Sequence, residues 1–463
     1  MNWRRLARVG LGAVALAIAG GPLVYDRLFP PATAFADDLD HFKYGSVGVE
    51  AAAGVPYEIW RALPRACAGR SDAREAYSEF GLIWEPGRMT PVGMPLETAI
   101  VPRVGVNCAL CHVGQVAGPG DATLTLAGAP NTRFDLQRYL GFLFACARGP
   151  NFTADRIIAA NAAEGGDLGP VQRELYRRLI IPQTRAALLR QHRDLSFMAA
   201  QTGWGPGRAA GFQPAKVQVL HQPFDGTLDV VDIPALWAMA SRDGQALHWD
   251  GANTSLHEVV LSSGIGNGAS AGSLNRPYLD RNESWVRTLR PARYPFAIDR
   301  ELAMQGRAVF AQSCAQCHAP GGARTGQVIP ARMLGTDRNR LDSMTPETVD
   351  GFNSSTDYAW RYSHFRKTRG YVAVPLDGVW ARAPYLHNGS VRTLAQLLLP
   401  PERRAVRFRR GTLHYDTVEV GFADAGPGVL DTALPGNAAV GHTWGSALDP
   451  GQRSALIEYL KTL

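Results

Sequence analysis

Cysteine and histidine recur together in this chain at a spacing that supports covalent chemistry. Cys108-Ala109-Leu110-Cys111-His112 and Cys314-Ala315-Gln316-Cys317-His318 each carry two thiols one helical turn apart, with an imidazole directly after them. Two such thiols can form thioethers to the vinyl groups of a haem, and the adjacent histidine then reaches the iron as proximal ligand. The pattern predicts two covalently bound haem c groups, attached at Cys108, Cys111, Cys314 and Cys317 and ligated by His112 and His318. A zinc ribbon, in which two Cys-x-x-Cys knuckles share one tetrahedral ion, is the competing use of these residues. Zinc knuckles lie some tens of residues apart, whereas about 200 residues separate these motifs, and a zinc site would leave both histidines idle.

The sixth ligand of each iron decides what its site can do. In cytochrome c domains it usually comes from the loop before the last helix and is often methionine. No methionine follows Met344 here, and the residue at that place is His442, seven positions before the expected helix cap Asp449. The second haem is therefore expected to be bis-histidine, His318 with His442. His387, in Pro384-Tyr385-Leu386-His387-Asn388-Gly389-Ser390, is the alternative ligand, its other use being to bond a haem propionate or fix that turn. Two imidazoles saturate an iron and suit it to passing single electrons, so small-molecule chemistry falls to the first haem. Its distal candidates, His192, Met198, His221, Met239, His248 and His257, are scattered, and an open distal site is expected.

The elements that must hold these ligands are helical. Apolar spacing predicts helices at Asp135 to Ala147, Ala154 to Ala163 and Leu168 to Ser196, the last as two helices broken at Pro182. An amphipathic helix from Ile298 to Phe310 runs into Cys314, and a final helix starts with Asp449 as N-cap and Pro450 at its first position. Glycine- and proline-rich stretches from Gly321 to Met344 and from Glu402 to Gly441 read as loops wrapping a cofactor. No sustained strand alternation and no internal repeat stands out. The expected fold is mostly α, two cytochrome-c-like haem domains with long ordered loops. Residues 37-290 form the first and residues 296-463 the second, joined by a proline-bearing connector.

Residues 1-36 read as an N-terminal signal peptide or membrane anchor. Arg4, Arg5 and Arg8 precede an apolar run at residues 9-25, and Ala17-Ile18-Ala19 and Ala34-Phe35-Ala36 both satisfy the small-x-small cleavage rule. The remainder of the chain is then expected in the periplasm, soluble after cleavage or held on the inner membrane by residues 9-25. In that oxidising compartment the leftover pair, Cys67 and Cys146, suggests a disulfide, with two buried thiols as the alternative. The net charge of +7 includes the signal arginines, and no basic run interleaved with aromatics suggests nucleic acid. A periplasmic redox partner or a small-molecule oxidant is the expected partner, and calcium is possible between the domains but not indicated.

Several segments carry a family resemblance. His248-Trp249-Asp250-Gly251 resembles the Phe-Trp-Asp-Gly segment of di-haem cytochrome c peroxidases and MauG-type enzymes, in which the tryptophan lies between the haems and assists electron transfer. Trp249 is the matching position. Tyr371 to Leu394, with Trp380 and Ala383-Pro384-Tyr385-Leu386-His387-Asn388-Gly389-Ser390, resembles the rubber-oxygenase-like, RoxA-type branch of that superfamily. So do His41-Phe42-Lys43-Tyr44-Gly45-Ser46, Trp204-Gly205-Pro206-Gly207-Arg208 and the Gly-His-x-x-Gly around His442. The resemblance implies a first haem that binds dioxygen or peroxide and a bis-histidine second haem that relays electrons. In the peroxidases a glutamine and a glutamate after the Trp-Asp-Gly segment serve O–O cleavage. Val259 and Ala269 occupy those places here, and Glu258 on a helix would point about 100° away from position 259. Weight shifts accordingly from a cytochrome c peroxidase towards a dioxygen-binding oxidoreductase or a non-catalytic electron-transfer di-haem cytochrome c. The chain is also considerably shorter than rubber oxygenases, so a polymer-binding surface does not follow.

Overall fold

A computed structural model describes residues 34–97, 101–355 and 361–463. The expected signal or anchor, with its apolar run at residues 9–25, lies outside the described residues. Among those residues, no helix is long and apolar enough to cross a membrane.

Among the described residues about 43% are helical and 11% are strand, so the architecture is mixed rather than mostly α. The strands are two to five residues long and form small antiparallel ribbons, too short to show sustained alternation in the sequence. The longest pair joins Val113–Ala117 to Thr123–Ala127 directly after His112. Its alternation of Thr with Leu sends Leu126 and Val116 to one side, where they pack with Trp237, Trp380 and Leu456. A ribbon that begins at the first motif thus completes the core around the second. In the other direction, Met344, Phe352, Tyr362 and Phe365 pack with Val47, Phe212 and Leu261 of the first half. The cores are interleaved across the connector between residues 290 and 296.

The first half is built on Tyr57–Ala68 and Leu136–Arg148. Helix spacing places Tyr139, Leu143, Phe144 and Ala147 on one buried face. Trp60 stacks on Tyr77 with ring centres 4.2 Å apart and donates from Nε1 to Tyr139 Oη at 3.0 Å. Cys67 and Cys146, one on each helix, are joined by a disulfide. The Leu168 to Ser196 region differs from expectation: Pro170–Leu175 and Ile181–Asp194 are one continuous rod, joined through a π turn at Tyr176–Ile180. Pro182 lacks an N–H and its ring crowds the carbonyl four residues back, and the wider turn relieves that without breaking the helix.

The second half opens with Arg300–Ser313, capped by Asp299, and closes with Pro450–Leu460, capped by Asp449 in a capping box with Gln452. The two helices cross at Gly306, where a Cβ would lie 1.8 Å from the Ala455 carbonyl oxygen. Only glycine permits that approach, which brings Cys314 up beneath the last helix.

Candidate functional site

Each Cys-x-x-Cys-His motif forms one short helical turn, Ala109–His112 and Ala315–His318. In both, the histidine Nδ1 lies against a distant backbone carbonyl, His112 on Pro234 at 3.0 Å and His318 on Val374 at 2.8 Å. A carbonyl can only accept, so Nδ1 carries the proton and Nε2 keeps its lone pair. Burial lowers both imidazole pKa values, His112 to about 4, which keeps the rings neutral. Each motif therefore offers a fixed, neutral, metal-ready nitrogen. The four motif cysteines form no disulfide, and burial pushes the Cys108 and Cys111 thiols up to about 11 and about 12 and Cys314 to about 11. Among the described residues no three His, Cys, Asp or Glu side chains gather as a metal cluster, so the motifs do not converge as a zinc ribbon requires.

At the second motif the His318 ring faces His442, with centres 6.2 Å apart. Two metal–imidazole bonds of about 2 Å each would hold ring centres about 6 Å apart, so this pair fits an iron between them. His442 adopts a left-handed backbone conformation, φ 46°, and its amide donates to Leu334 O at 2.9 Å. Arg404 secures the loop, donating to the carbonyls of Ala439, Gly441 and His442 at 2.9, 2.8 and 3.0 Å and to those of Leu397 and Leu399. Burial, then the facing His318 and, least, the positive charge of Arg404 lower the His442 pKa to about 4. Nothing in its local sequence marks Arg404, because the carbonyls it gathers are up to 38 residues away. His387 is engaged elsewhere: its Nε2 bonds Tyr371 Oη at 3.0 Å and its ring stacks on Tyr371 at 4.1 Å.

Cys108, Cys111 and His112 instead line a cavity of about 460 Å³ whose walls are largely apolar, among them Phe134, Leu143, Phe212, Val259 and Phe365. The motif is held to it by Asn107, whose Oδ1 accepts from Ala109 N at 2.9 Å while Nδ2 donates to the carbonyls of Phe42, Lys43 and Gly45. Of the scattered distal candidates, the fold brings Met239 and His248 to this cavity. His192 packs on Phe144, Met198 lies in the first core, His221 lines a neighbouring groove and His257 pairs with Glu283. Val259 faces the cavity while Glu258 turns away to Asn253, Ser363 and His364.

Trp249 sits beside this wall. Its Nε1 donates to Asp232 O at 2.9 Å, its carbonyl accepts from Val372 N at 2.9 Å, and its side chain packs against the small core of Ala331, Leu341 and Tyr371. Leu334, whose carbonyl receives the His442 amide, borders that same small core.

Glu50 lies behind Gly105, a wall residue, fully buried with Oε1 unpartnered. Burial raises its pKa to about 7 despite a hydrogen bond from Ser46 Oγ. The folded chain thus holds a proton that the unfolded chain releases at ordinary carboxylate pH. The associated stability is fully present below about pH 4.5 and is lost as pH rises through 7, a change of about 3 kcal/mol. Denaturant unfolding between pH 5 and 8.5 should show this loss in the natural chain and not in Glu50→Gln, which gains relative stability at the alkaline end. A difference independent of pH would contradict the assignment.

Residues 370–409 match the family described as RoxA-like, cytochrome c-like. That segment supplies Val374, which orients His318, and Arg404, which clamps the His442 loop. The chain is also similar to two uncharacterized proteins of Sinorhizobium fredii. It is 31% identical to y4iM over 284 residues, 50% of this chain and 64% of that protein, less than two thirds of its length. It is 27% identical to y4iJ over 483 aligned positions, 80% of this chain and 78% of that protein. The match at 370–409 supports a RoxA-like cytochrome c relationship, which implies haem c and its iron and suggests a cytochrome c oxidoreductase.

Proposed function

We propose that the protein is a periplasmic di-haem c-type oxidoreductase in which the first motif takes an external oxidant and the second relays electrons. The observation that carries this reading is the inequality of the two sites. His318 is faced by a second imidazole at 6.2 Å, whereas His112 opens on an apolar cavity of about 460 Å³. Haem c, when bound, supplies an iron that exchanges single electrons and, where a coordination position is free, binds small molecules such as dioxygen or peroxide.

The chain's own residues supply the rest. Pro234 and Val374 hold the two proximal imidazoles in one tautomer and one orientation. Arg404 keeps His442 opposite His318, so the second site excludes exogenous ligands and reorganises little on electron exchange. The apolar walls of the first cavity exclude bulk water, and Trp249 bridges the two sites. A valine at position 259 in the cavity wall, with Glu258 directed elsewhere, disfavours the acid–base route of a cytochrome c peroxidase and favours dioxygen. A periplasmic redox protein would exchange electrons with the second site, the chain being soluble there or tethered by residues 9–25.

Carbon monoxide titration of the dithionite-reduced, fully matured protein tests this reading. One equivalent per two haems is expected, and His442→Ala should raise it to two. No uptake by the natural protein would mean two saturated irons and a non-catalytic electron carrier. Two equivalents would remove the bis-histidine relay.

A further inference from the structure

We propose that His248 is the side chain of the first cavity that hydrogen-bonds a small oxygen-class ligand, dioxygen or peroxide. This rests on the reading that the His112 site takes an external ligand. His248 lines the same cavity as Cys108, Cys111 and His112. Its Nε2 is buried and has no hydrogen-bond partner. A buried nitrogen left unpaired forfeits its hydration without a replacement, so such an atom persists where something else completes it. The ring is flanked by Phe212 and Phe365, with centres 6.4 and 6.5 Å away, and these cannot be that partner.

The backbone is built to present this residue. His248 is left-handed, φ 62°, a conformation that is strained for a non-glycine residue and is kept only where the surroundings impose it. They do so on both sides. Leu247 N donates to Asn253 O at 2.9 Å, Val372 N donates to Trp249 O at 2.9 Å, and the Asp250 carboxylate pairs with buried Arg340 at 3.5 Å. Asn282 Nδ2 is another unpartnered nitrogen in this wall, but its Oδ1 is committed to His41 and an amide does not exchange its proton at need. Glu258, the nearby carboxylate on the helix Leu256–Gly266, is spent on His364 and Ser363. Ser262 and Ser263 also line the cavity, each with its hydroxyl proton given to Val259 O; the His248 imidazole brings to the wall a buried nitrogen that is uncommitted and, by its tautomer, can donate or accept.

The test uses the full matured protein and two variants, His248→Phe and His248→Gln. The natural protein and both variants should bind one carbon monoxide per two haems. The infrared C–O stretch should move to higher wavenumber in His248→Phe and stay near the natural value in His248→Gln, which retains a donor. Cyanide affinity of the oxidised protein should fall about tenfold in His248→Phe and much less in His248→Gln. Unchanged stretch and affinity in His248→Phe overturn the proposal. So does a natural protein that binds no carbon monoxide while His248→Phe binds one, since His248 would then be an iron ligand. No uptake by any of the three, or two equivalents by the natural protein, defeats the underlying two-site reading instead. If His248→Phe fails to fold, His248→Leu takes its place, and unchanged stretch and cyanide affinity there overturn the proposal in the same way.

Discussion

Replacing Arg410 with alanine is expected to destabilise the protein by about 3–5 kcal/mol, because it strands a buried carboxylate. Arg410 Nη2 lies 2.5 Å from Asp232 Oδ1, and both side chains are only 2% exposed. Burial holds the Asp232 pKa above the ordinary carboxylate range even with the guanidinium present. Without it, Asp232 must either carry an unpaired charge in the interior or take up a proton. The loss should therefore be larger at pH 8 than at pH 5, and Asp232→Asn in the Arg410→Ala background should recover part of it. The pair also joins the two halves. Arg410 Nη1 donates to Gly389 O at 3.2 Å, Asp232 N donates to His387 O at 2.8 Å, and Asp232 O receives the Trp249 indole. A Cβ on Gly389, whose φ is 62°, would meet Asp232 Oδ1 at 2.4 Å, so the turn around His387 is shaped to the pair. Urea unfolding followed by tryptophan fluorescence at both pH values measures the loss. A change below about 1 kcal/mol, or one equal at both pH values, would show that the pair is dispensable.

Arg404→Ala is expected to cost about 3 kcal/mol and to open the second site. Five backbone carbonyls, those of Leu397, Leu399, Ala439, Gly441 and His442, converge on this one guanidinium. Charge-assisted bonds of this kind are worth about 1.5–3 kcal/mol each in isolation, and partial rehydration of the freed carbonyls reduces the sum. The functional consequence follows from where the carbonyls lie. His442 holds a left-handed conformation that its own sequence disfavours, and the clamp on residues 439–442 maintains it. With the clamp gone, carbon monoxide uptake by the reduced protein should rise above one per two haems, towards the two expected of His442→Ala. Arg404→Lys should behave like alanine, because an ammonium cannot reach carbonyls fanned across a planar fork. Retention of one equivalent in Arg404→Ala would show that the loop holds His442 unaided.

What could be read from the sequence depends on contiguous residues. A Cys-x-x-Cys-His pentapeptide brings its thiols and imidazole together within one turn whatever surrounds it, and helices such as Ala154–Ala163 and Pro450–Leu460 announce themselves by local spacing and caps. His442 could be placed opposite His318 because a loop before a final helix is bounded by that helix. What the tertiary structure alone decided depends on contacts between distant segments. The carbonyls that orient the two proximal histidines come from 122 and 56 residues away, and Arg404 reaches up to 38 residues to hold His442. Six histidine and methionine candidates for the first site looked equivalent in one dimension. Packing sorted them, sending His257 to Glu283 and His192 to Phe144 and leaving Met239 and His248 in the cavity wall. The short ribbons escaped detection because two to five residues carry too little alternation. The interleaved cores escaped it because an apolar side chain records that it is buried, not which half of the chain buries it.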